Sequence, residues 1–328
     1  MNHRPLRRAA LLLAATCLLP LASHAQTSWP TKPVRIVVPL GAGGAPDVLS
    51  RQLAQILSEK NGQPFVVDNR PGANTIIGTD VCAKAAPDGA TLCLVTGSSL
   101  SINPFVYRKL PYDANKDFEA VAPLAVPDMV LLASPALPVN NFAELVAHAK
   151  AHPDKLAYAS FGIGSDTHLT MEWIKRHTGT SLLHVPFNGF GPIMQAFNTR
   201  DVQLAYVSLG NPGILDQIKS GKMRALALLA PTRNAQLPEV PTFAEVGLGE
   251  LKGFTWFGYV APAGMPREAV AKLNAQIAEA MKTPAVRERL ATMAMRSNAQ
   301  SPQAFRSFLE QDRTVWKVMA QESGVMLD

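Results

Sequence analysis

The chain has 328 residues, enough for two domains, and its 47% hydrophobic and 17% charged residues are typical of a globular protein. Lysine and arginine number 31 against 25 acidic residues, a formal net charge of +6, and without the three arginines of residues 1–25 the charge falls to +3. This small excess, with no basic run, excludes a nucleic-acid-binding protein.

The first 25 residues have the pattern of an export signal. Three arginines precede an apolar run over residues 9–21, and small residues follow up to Ala25. This pattern predicts cleavage between Ala25 and Gln26 and a mature protein in the periplasm. The apolar run is too short to span a membrane, and no later run is long enough. A lipid anchor on Cys17 is an alternative, but the residues before it fit the lipid-attachment motif poorly.

Strand and helix patterns then alternate along the first third of the chain. The first helix follows a glycine cluster, carries an apolar face, and ends before Gly62. The predicted strands are 34–40, 65–67 and 91–96, and a second helix covers 76–86. The apolar stretch 121–134 contains Pro123 and Pro127. Because central strands exclude proline, we predict that this stretch is a crossover between lobes.

The alternation continues to the C-terminus. Predicted strands cover 156–160, 184–187, 202–208 and 225–230, and predicted helices cover 142–152 and 168–178. A strand over 256–261 is predicted to return to the first lobe, and helices over 267–281, 284–293 and 302–323 follow it.

This order of elements predicts α/β layers with a largely parallel sheet. The two chain crossovers, near residue 128 and near residue 256, are what a hinged clamshell requires. We therefore predict a first lobe made of residues 26–128 and 256–328, and a second lobe made of residues 129–255.

Two glycine-rich loops carry the functional prediction. The first covers residues 41–47 and the second residues 161–168, and neither contains lysine or arginine. A loop of this kind, placed between a strand and a helix, presents backbone N–H groups at the positive end of the helix dipole. Two such loops in opposite lobes predict a ligand carrying carboxylates. Without arginine clamps, recognition would rely on N–H dipoles, hydroxyls and ordered water.

The first loop does not fit a nucleotide site. Pro46 occupies the third glycine position of the dinucleotide pattern, and the lysine of a phosphate-binding loop is missing. We predict no cofactor. Asp47 has two possible roles: it complements the dipole of the first helix, or it accepts a hydrogen bond or an ammonium from the ligand.

A catalytic or metal site is weakly indicated. Ser165, His168 and Asp47 could form a hydrolase triad, but the chain has no Gly-x-Ser-x-Gly elbow, and Ser165 suits a helix N-cap. His148 and His152 have helical i, i+4 spacing but no third ligand, so we predict no metal.

Two cysteines, Cys82 and Cys93, remain after signal removal. An oxidising compartment permits a disulfide between them. They are equally well explained as two small buried residues on a helix and the following strand, because the sequence does not give the Cα separation that a disulfide requires.

A series of ordered motifs covers nearly the whole mature chain and resembles the solute receptors of tripartite tricarboxylate transporters, the Bug family. The motifs are Trp29-Pro30-Thr31-Lys32-Pro33, Gly43-Gly44-Ala45-Pro46-Asp47, Asn69-Arg70-Pro71-Gly72-Ala73, Pro87-Asp88-Gly89, Leu110-Pro111-Tyr112-Asp113, Tyr158-Ala159-Ser160, Gly162-Ile163-Gly164-Ser165 with His168, Val185-Pro186-Phe187-Asn188-Gly189, Gly221-Lys222-Met223-Arg224-Ala225 and Pro238-Glu239-Val240-Pro241-Thr242.

The resemblance implies a two-lobe periplasmic-binding-protein fold of type II, a ligand carboxylate held by the two glycine loops, and delivery to the membrane subunits of a transporter. We expect a monomer without nucleic-acid partners. The predicted ligand-binding residues are Leu40, Gly41, Ala42, Gly43, Gly44, Asp47, Asn74, Thr75, Ser98, Ser99, Phe161, Gly162, Gly164, Ser165, Thr167, His168 and Asn188.

This chain departs from the family pattern at Leu40, Ala42, Ala90 and Asn188. The first two belong to the ligand loop, so the family's ligand preferences transfer poorly. Dicarboxylates, citrate-like acids, amino acids, nicotinate and aromatic acids all stay open. Two alternatives to transport also stay open: a ligand-sensing subunit for a membrane histidine kinase, and a secreted hydrolase that uses Ser165.

Overall fold

The computed structural model describes residues 29–328. The predicted signal peptide and its cleavage between Ala25 and Gln26 lie outside these residues. Within them, no helix combines the length and the apolar character that crossing a membrane would require.

The first sheet has six strands in the order β11-β4-β10-β3-β1-β2. Its strands are β1 (Val34–Val38), β2 (Phe65–Asn69), β3 (Thr91–Thr96), β4 (Phe118–Pro127), β10 (Phe257–Pro262) and β11 (Met295–Ser297). Its α-helices are α1 (Ala45–Asn61), α2 (Ile76–Ala83), α3 (Asn103–Val106), α8 (Arg267–Ala280), α9 (Pro284–Thr292) and α10 (Pro302–Ser323), with a π-helical turn over Ser98–Ile102.

The second sheet has five strands in the order β7-β6-β8-β5-β9. Its strands are β5 (Met129–Ala133), β6 (Ala157–Ser160), β7 (Leu183–Pro186), β8 (Leu204–Ser208) and β9 (Arg224–Leu229). Its α-helices are α4 (Phe142–Ala151), α5 (Asp166–Thr178), α6 (Phe190–Thr199) and α7 (Ile214–Lys219), and an irregular helical turn covers Ala244–Leu248.

The predicted two-lobe α/β fold is confirmed, but both sheets are mixed and not largely parallel. The strands β1, β2 and β3 run parallel, whereas β10, β4 and β11 pair antiparallel. In the second sheet, β6, β7 and β8 are parallel and β5 pairs antiparallel with both β8 and β9. The antiparallel pairing begins at β10, by which the chain returns to the first sheet, and at β5, by which it enters the second sheet.

The stretch 121–134 is a second correction. It crosses between the sheets, as predicted, but it does so as two strands, β4 and β5, which meet at Asp128. Pro123 lies where the register of β4 against β10 shifts, and Pro127 pairs with the edge strand β11. Bulges and edges are the places where a sheet tolerates proline, because no ladder hydrogen bond is lost there.

The long helix α10 packs against both halves of the molecule. Phe305 and Leu309 belong to an apolar cluster with β3 and β10, whereas Trp316 and Met319 belong to a cluster with β5, β6 and β8. The lobe limits proposed from the sequence, 26–128 with 256–328 and 129–255, therefore stay a prediction.

The open question about the cysteines is resolved. Cys82 on α2 and Cys93 on β3 form a disulfide, and their Cα atoms are 6.2 Å apart. This separation lies within the range that a disulfide needs. Both residues are buried in the apolar cluster between α2 and the first sheet.

Candidate functional site

A cleft of about 500 Å³ lies between the two sheets, at the ends of strands from both. This volume is within the range of small-molecule sites. The predicted residues that line it are Leu40, Gly41, Ala42, Gly43, Gly44, Asn74, Thr75, Ser98, Phe161, Ser165, Thr167 and Asn188. The predicted residues that do not line it are Asp47, Ser99, Gly162, Gly164 and His168.

The N-terminus of α1 opens on this cleft without a cap. Its N-cap residue, Gly44, is extended and has no side chain to accept a hydrogen bond, and Pro46 in the first turn has no N–H. A helix leaves its first N–H groups unpaired unless a side chain, water or a ligand accepts them. Gly43 turns the loop at φ +81°, a conformation that favours glycine. The first loop therefore has the geometry predicted for an anion site.

Asp47 is not among the residues that line the cleft, and its predicted contact with the ligand stays a prediction. Its carboxylate accepts hydrogen bonds from Gly43 N–H at 2.9 Å, Arg51 Nε at 3.0 Å and Asn69 Nδ2 at 2.9 Å. Burial raises the pKa of Asp47, but these hydrogen bonds outweigh it and hold the pKa below the ordinary value. The Asp47 side chain therefore connects the first loop to α1 and to Asn69.

The N–H groups of the second loop donate hydrogen bonds to nearby side chains. Phe161 N–H donates to Thr167 Oγ1, Gly162 N–H to Ser160 Oγ, and Gly164 N–H to His168 Nδ1. The sequence analysis expected free N–H groups here, but polar side chains within the loop and directly before it accept them.

Ser165 caps α5, as the alternative interpretation held. Its Oγ accepts from His168 N–H at 3.2 Å and donates to Gly162 O at 2.8 Å. The His168 imidazole receives Gly164 N–H instead of pairing with the Ser165 hydroxyl, and Asp47 is bound to Arg51 in the other lobe. The nucleophile–base contact of a hydrolase is not formed among these residues.

His168 lies behind the loop and not in the cleft. Its ring stacks on His184 with centroids 3.8 Å apart, and Ser160 Oγ lies 2.6 Å from His184 Nε2. Burial lowers the pKa of His168 and of His184 to about 4, against a smaller opposing effect of Glu172. Both imidazoles are therefore neutral at physiological pH and support the second loop without charge.

Asn74, Thr75 and Ser99 form a polar network beside the first loop. Ser99 Oγ donates to Thr75 Oγ1 at 3.0 Å, and Asn74 Nδ2 donates to Asn103 Oδ1 at 2.8 Å. Ser99 is fully buried and reaches the cleft only through Thr75. Ser99 therefore supports Thr75, and its predicted contact with the ligand stays a prediction.

The two lobes meet at Asp166, which the sequence analysis did not select. Its N–H donates to Ser98 Oγ at 3.3 Å, its Oδ1 accepts Thr167 N–H at 2.9 Å, and its Oδ2 accepts the Thr255 hydroxyl. Asp166 is only 9% exposed, and burial raises its pKa, opposed by the Thr255 hydrogen bond. It lines the cleft together with Ser98 and Thr255.

Other cleft residues were also missed. They are Pro39, Pro46, Pro71, Gly72, Thr96, Met129, Gly189, Phe190, Gly191, Pro192, Ser208, Asn211, Pro212 and Phe257. Many follow the ends of β7 and β8, and the rule that ligands gather at the carboxyl ends of parallel strands could have found them. Phe190 and Pro192 begin α6, a helix that the sequence analysis did not predict.

Comparisons with known proteins agree with this geometry. Residues 49–325 match the family model described as "Tripartite tricarboxylate transporter family receptor". The protein BugT of Bordetella pertussis is 33% identical over 332 residues, which covers the full length of both chains. The chain belongs to the tripartite tricarboxylate transporter receptor family. Members of this family are periplasmic solute receptors.

Two solved receptors share the fold over most of the chain. Rpa4515 of R. palustris, solved with adipate, superposes with a TM-score of 0.86 at 32% identity, covering 92% of this chain and all of that one. MatC from Rhodopseudomonas palustris, solved with bound malate, gives a TM-score of 0.82 at 29% identity, covering 89% of this chain and all of that one. Both relatives hold a small carboxylate.

Proposed function

We propose that this chain is a periplasmic receptor, not an enzyme, that captures a small carboxylate between its lobes and delivers it to the membrane subunits of a tripartite tricarboxylate transporter. The observation that carries the proposal is the uncapped N-terminus of α1, which opens on a cleft between the lobes. Adipate and malate in the two relatives support the ligand class.

The contribution of the first loop follows from its dipole and its free donors. A carboxylate at the start of α1 would accept the first-turn N–H groups, directly or through water. Gly43 lies at the entrance of this site, and a Cβ built there meets no atom within 4 Å. A large side chain at this position would therefore project into the space that the ligand needs.

Calorimetric titration with a panel of small carboxylic acids tests capture. We expect at least one acid to bind and to raise the melting temperature, since a ligand at 100 times its Kd adds about 2.7 kcal/mol. Gly43→Leu should abolish this binding. Gly62→Leu is the matched control, because Gly62 also has positive φ, +63°, and open space, but caps the far end of α1. Equal binding by both variants would contradict the proposed site.

Delivery and export need separate measurements. Deleting the gene in the bacterium that encodes it should stop uptake of the ligand, and the parent chain but not Gly43→Leu should restore it. Unchanged uptake with a lost transcriptional response to the ligand would indicate a sensor subunit instead. The mass of the periplasmic protein should correspond to a chain that starts at Gln26.

A further inference from the structure

The cleft contains no positive charge among residues 29–328. Its lining includes no lysine, arginine or histidine, and Asp166 is its single ionisable side chain. Arg51, on the first turns of α1, is directed to Asp47 and Asn69 and does not line the cleft. The N-terminus of α1 can receive one carboxylate, but a second one would find no cation.

Asp166 makes the rest of the cleft unfavourable for a second anion. Both of its oxygens are hydrogen-bonded, to Thr167 N–H and to the Thr255 hydroxyl, and these two hydrogen bonds favour its ionised form. Burial already raises the pKa of Asp166, and a nearby anion would raise it further. A dianion would have to lie beside this charge or force Asp166 to take up a proton, and either event weakens binding at neutral pH.

The walls of the cleft are suited to an uncharged, apolar part of a ligand. Leu40 and Ala42 line the cleft from the first loop, and the rings of Phe161, Phe190 and Phe257 line it from other elements. Apolar surface that these side chains cover is removed from water, which favours binding in proportion to its area. An apolar chain or ring attached to one carboxylate would use both parts of this cleft.

We propose that the ligand is a monocarboxylate with an uncharged, apolar body, and that Asp166 excludes acids with a second ionised carboxylate. This inference rests on the proposed function and narrows its substrate class. It sets this receptor apart from the two relatives solved with the dicarboxylates adipate and malate.

Four acids with the same six-carbon chain test the inference on the parent protein. Hexanoate ends in a methyl group, adipate in a carboxylate, monomethyl adipate in an ester, and 6-aminohexanoate in an ammonium. By calorimetry at pH 7, we expect hexanoate and monomethyl adipate to bind at least tenfold more tightly than adipate. Asp166 attracts the ammonium of 6-aminohexanoate, but this ammonium must be desolvated among apolar walls, so we expect 6-aminohexanoate to bind no more tightly than hexanoate. Adipate binding as tightly as hexanoate would overturn the inference and leave the proposed function standing, as would tightest binding of 6-aminohexanoate. Failure of every acid here and in the wider panel would overturn both.

The role of Asp166 is tested with Asp166→Asn. We expect adipate to gain at least fivefold in affinity relative to hexanoate, because the like charge is gone. Asp154→Asn, on the exposed surface of the same lobe, is the control and should leave the ratio unchanged. An unchanged ratio in a folded Asp166→Asn variant would overturn the role of Asp166. If that variant does not fold, the four acids on the parent protein still decide the ligand class.

Discussion

Asp47→Asn tests whether the buried carboxylate of α1 holds the first loop or selects the ligand. In the parent, Oδ2 accepts from Gly43 N–H and Arg51 Nε while Oδ1 accepts from Asn69 Nδ2, all at 2.9–3.0 Å. Both oxygens of Asp47 face donors, so an asparagine side chain points its amide N–H₂ at one of these donors whichever way the amide is turned. The substitution therefore loses at least one hydrogen bond to a charged acceptor, each worth about 1.5–3 kcal/mol. Because Arg51 is half exposed, its share is small, and we expect a loss of about 2 kcal/mol.

The effect on binding should be uniform. A loosened first loop should weaken the binding of every carboxylate by a similar factor, because all of them would bind at the same N-terminus of α1. Urea denaturation measures the free energy of unfolding. Calorimetry with two carboxylic acids that differ in the rest of the molecule shows whether their order of affinity changes. Glu279→Gln is the control, since its pair with Lys60 is at the surface and should change stability by less than about 1 kcal/mol.

The pH dependence gives an independent check. The folded pKa of Asp47 lies below its ordinary value, so its stabilising contribution is present above that ordinary value and is lost as the pH falls through the folded one. Asp47→Asn should therefore lose less stability than the parent on acidification below pH 4, near the ordinary aspartate pKa of about 3.9. A variant with the parent's free energy of unfolding but a new ranking of acids would refute the reasoning and restore Asp47 as a ligand contact.

Three further predictions concern other parts of the chain. Replacing Cys82 and Cys93 by alanine removes a disulfide that closes a short loop, and we expect urea denaturation to give a loss of about 3 kcal/mol. Leucine should destabilise the fold more at Gly164 than at Gly43. An added Cβ at Gly164 lies 3.1 Å from a side chain of α3, whereas the space around Gly43 is open. Equal melting temperatures of the two variants would contradict this prediction. Burial raises the pKa of Asp312 to about 6, so its own contribution to stability falls as the pH rises from 4 to 6. The pKa values of His168 and His184, lowered to about 4, act in the opposite direction. We therefore expect thermal denaturation to show that stability rises more steeply with pH over this range in Asp312→Asn than in the parent, and equal slopes would contradict the raised pKa.

The sequence predicted the elements of the site better than their hydrogen bonding. The first loop could be found because Gly43, Gly44 and Pro46 leave a helix start without a cap, and that consequence is local. The second loop has a similar glycine pattern, but its N–H groups are taken by Thr167 and His168. Whether a side chain folds back onto a loop depends on rotamers and neighbouring packing, which glycine spacing does not determine.

Features that depend on distant parts of the chain were the least predictable. Asp166 is an ordinary first-turn acid in the sequence and becomes part of the cleft only because Ser98 and Thr255 meet it there. The disulfide was undecidable for the same reason, since it rests on a Cα separation across two elements. Local patterns therefore gave the strands, helices and loops, whereas the interlobe contacts required the fold.

The two loops differ in their hydrogen bonding, although their sequences suggested equivalent roles. The second loop is internally hydrogen-bonded, and across the lobes Asp166 N–H already meets Ser98 Oγ. The described residues thus supply acceptors for this side of the cleft without a ligand, and a carboxylate gains little by replacing them. In the first loop the Asp47 carboxylate accepts Gly43 N–H, but no side chain caps the first turn of α1. The free energy of carboxylate binding should therefore come mainly from the first loop, while the second lobe, through Phe161, Phe190 and Asp166, distinguishes one acid from another.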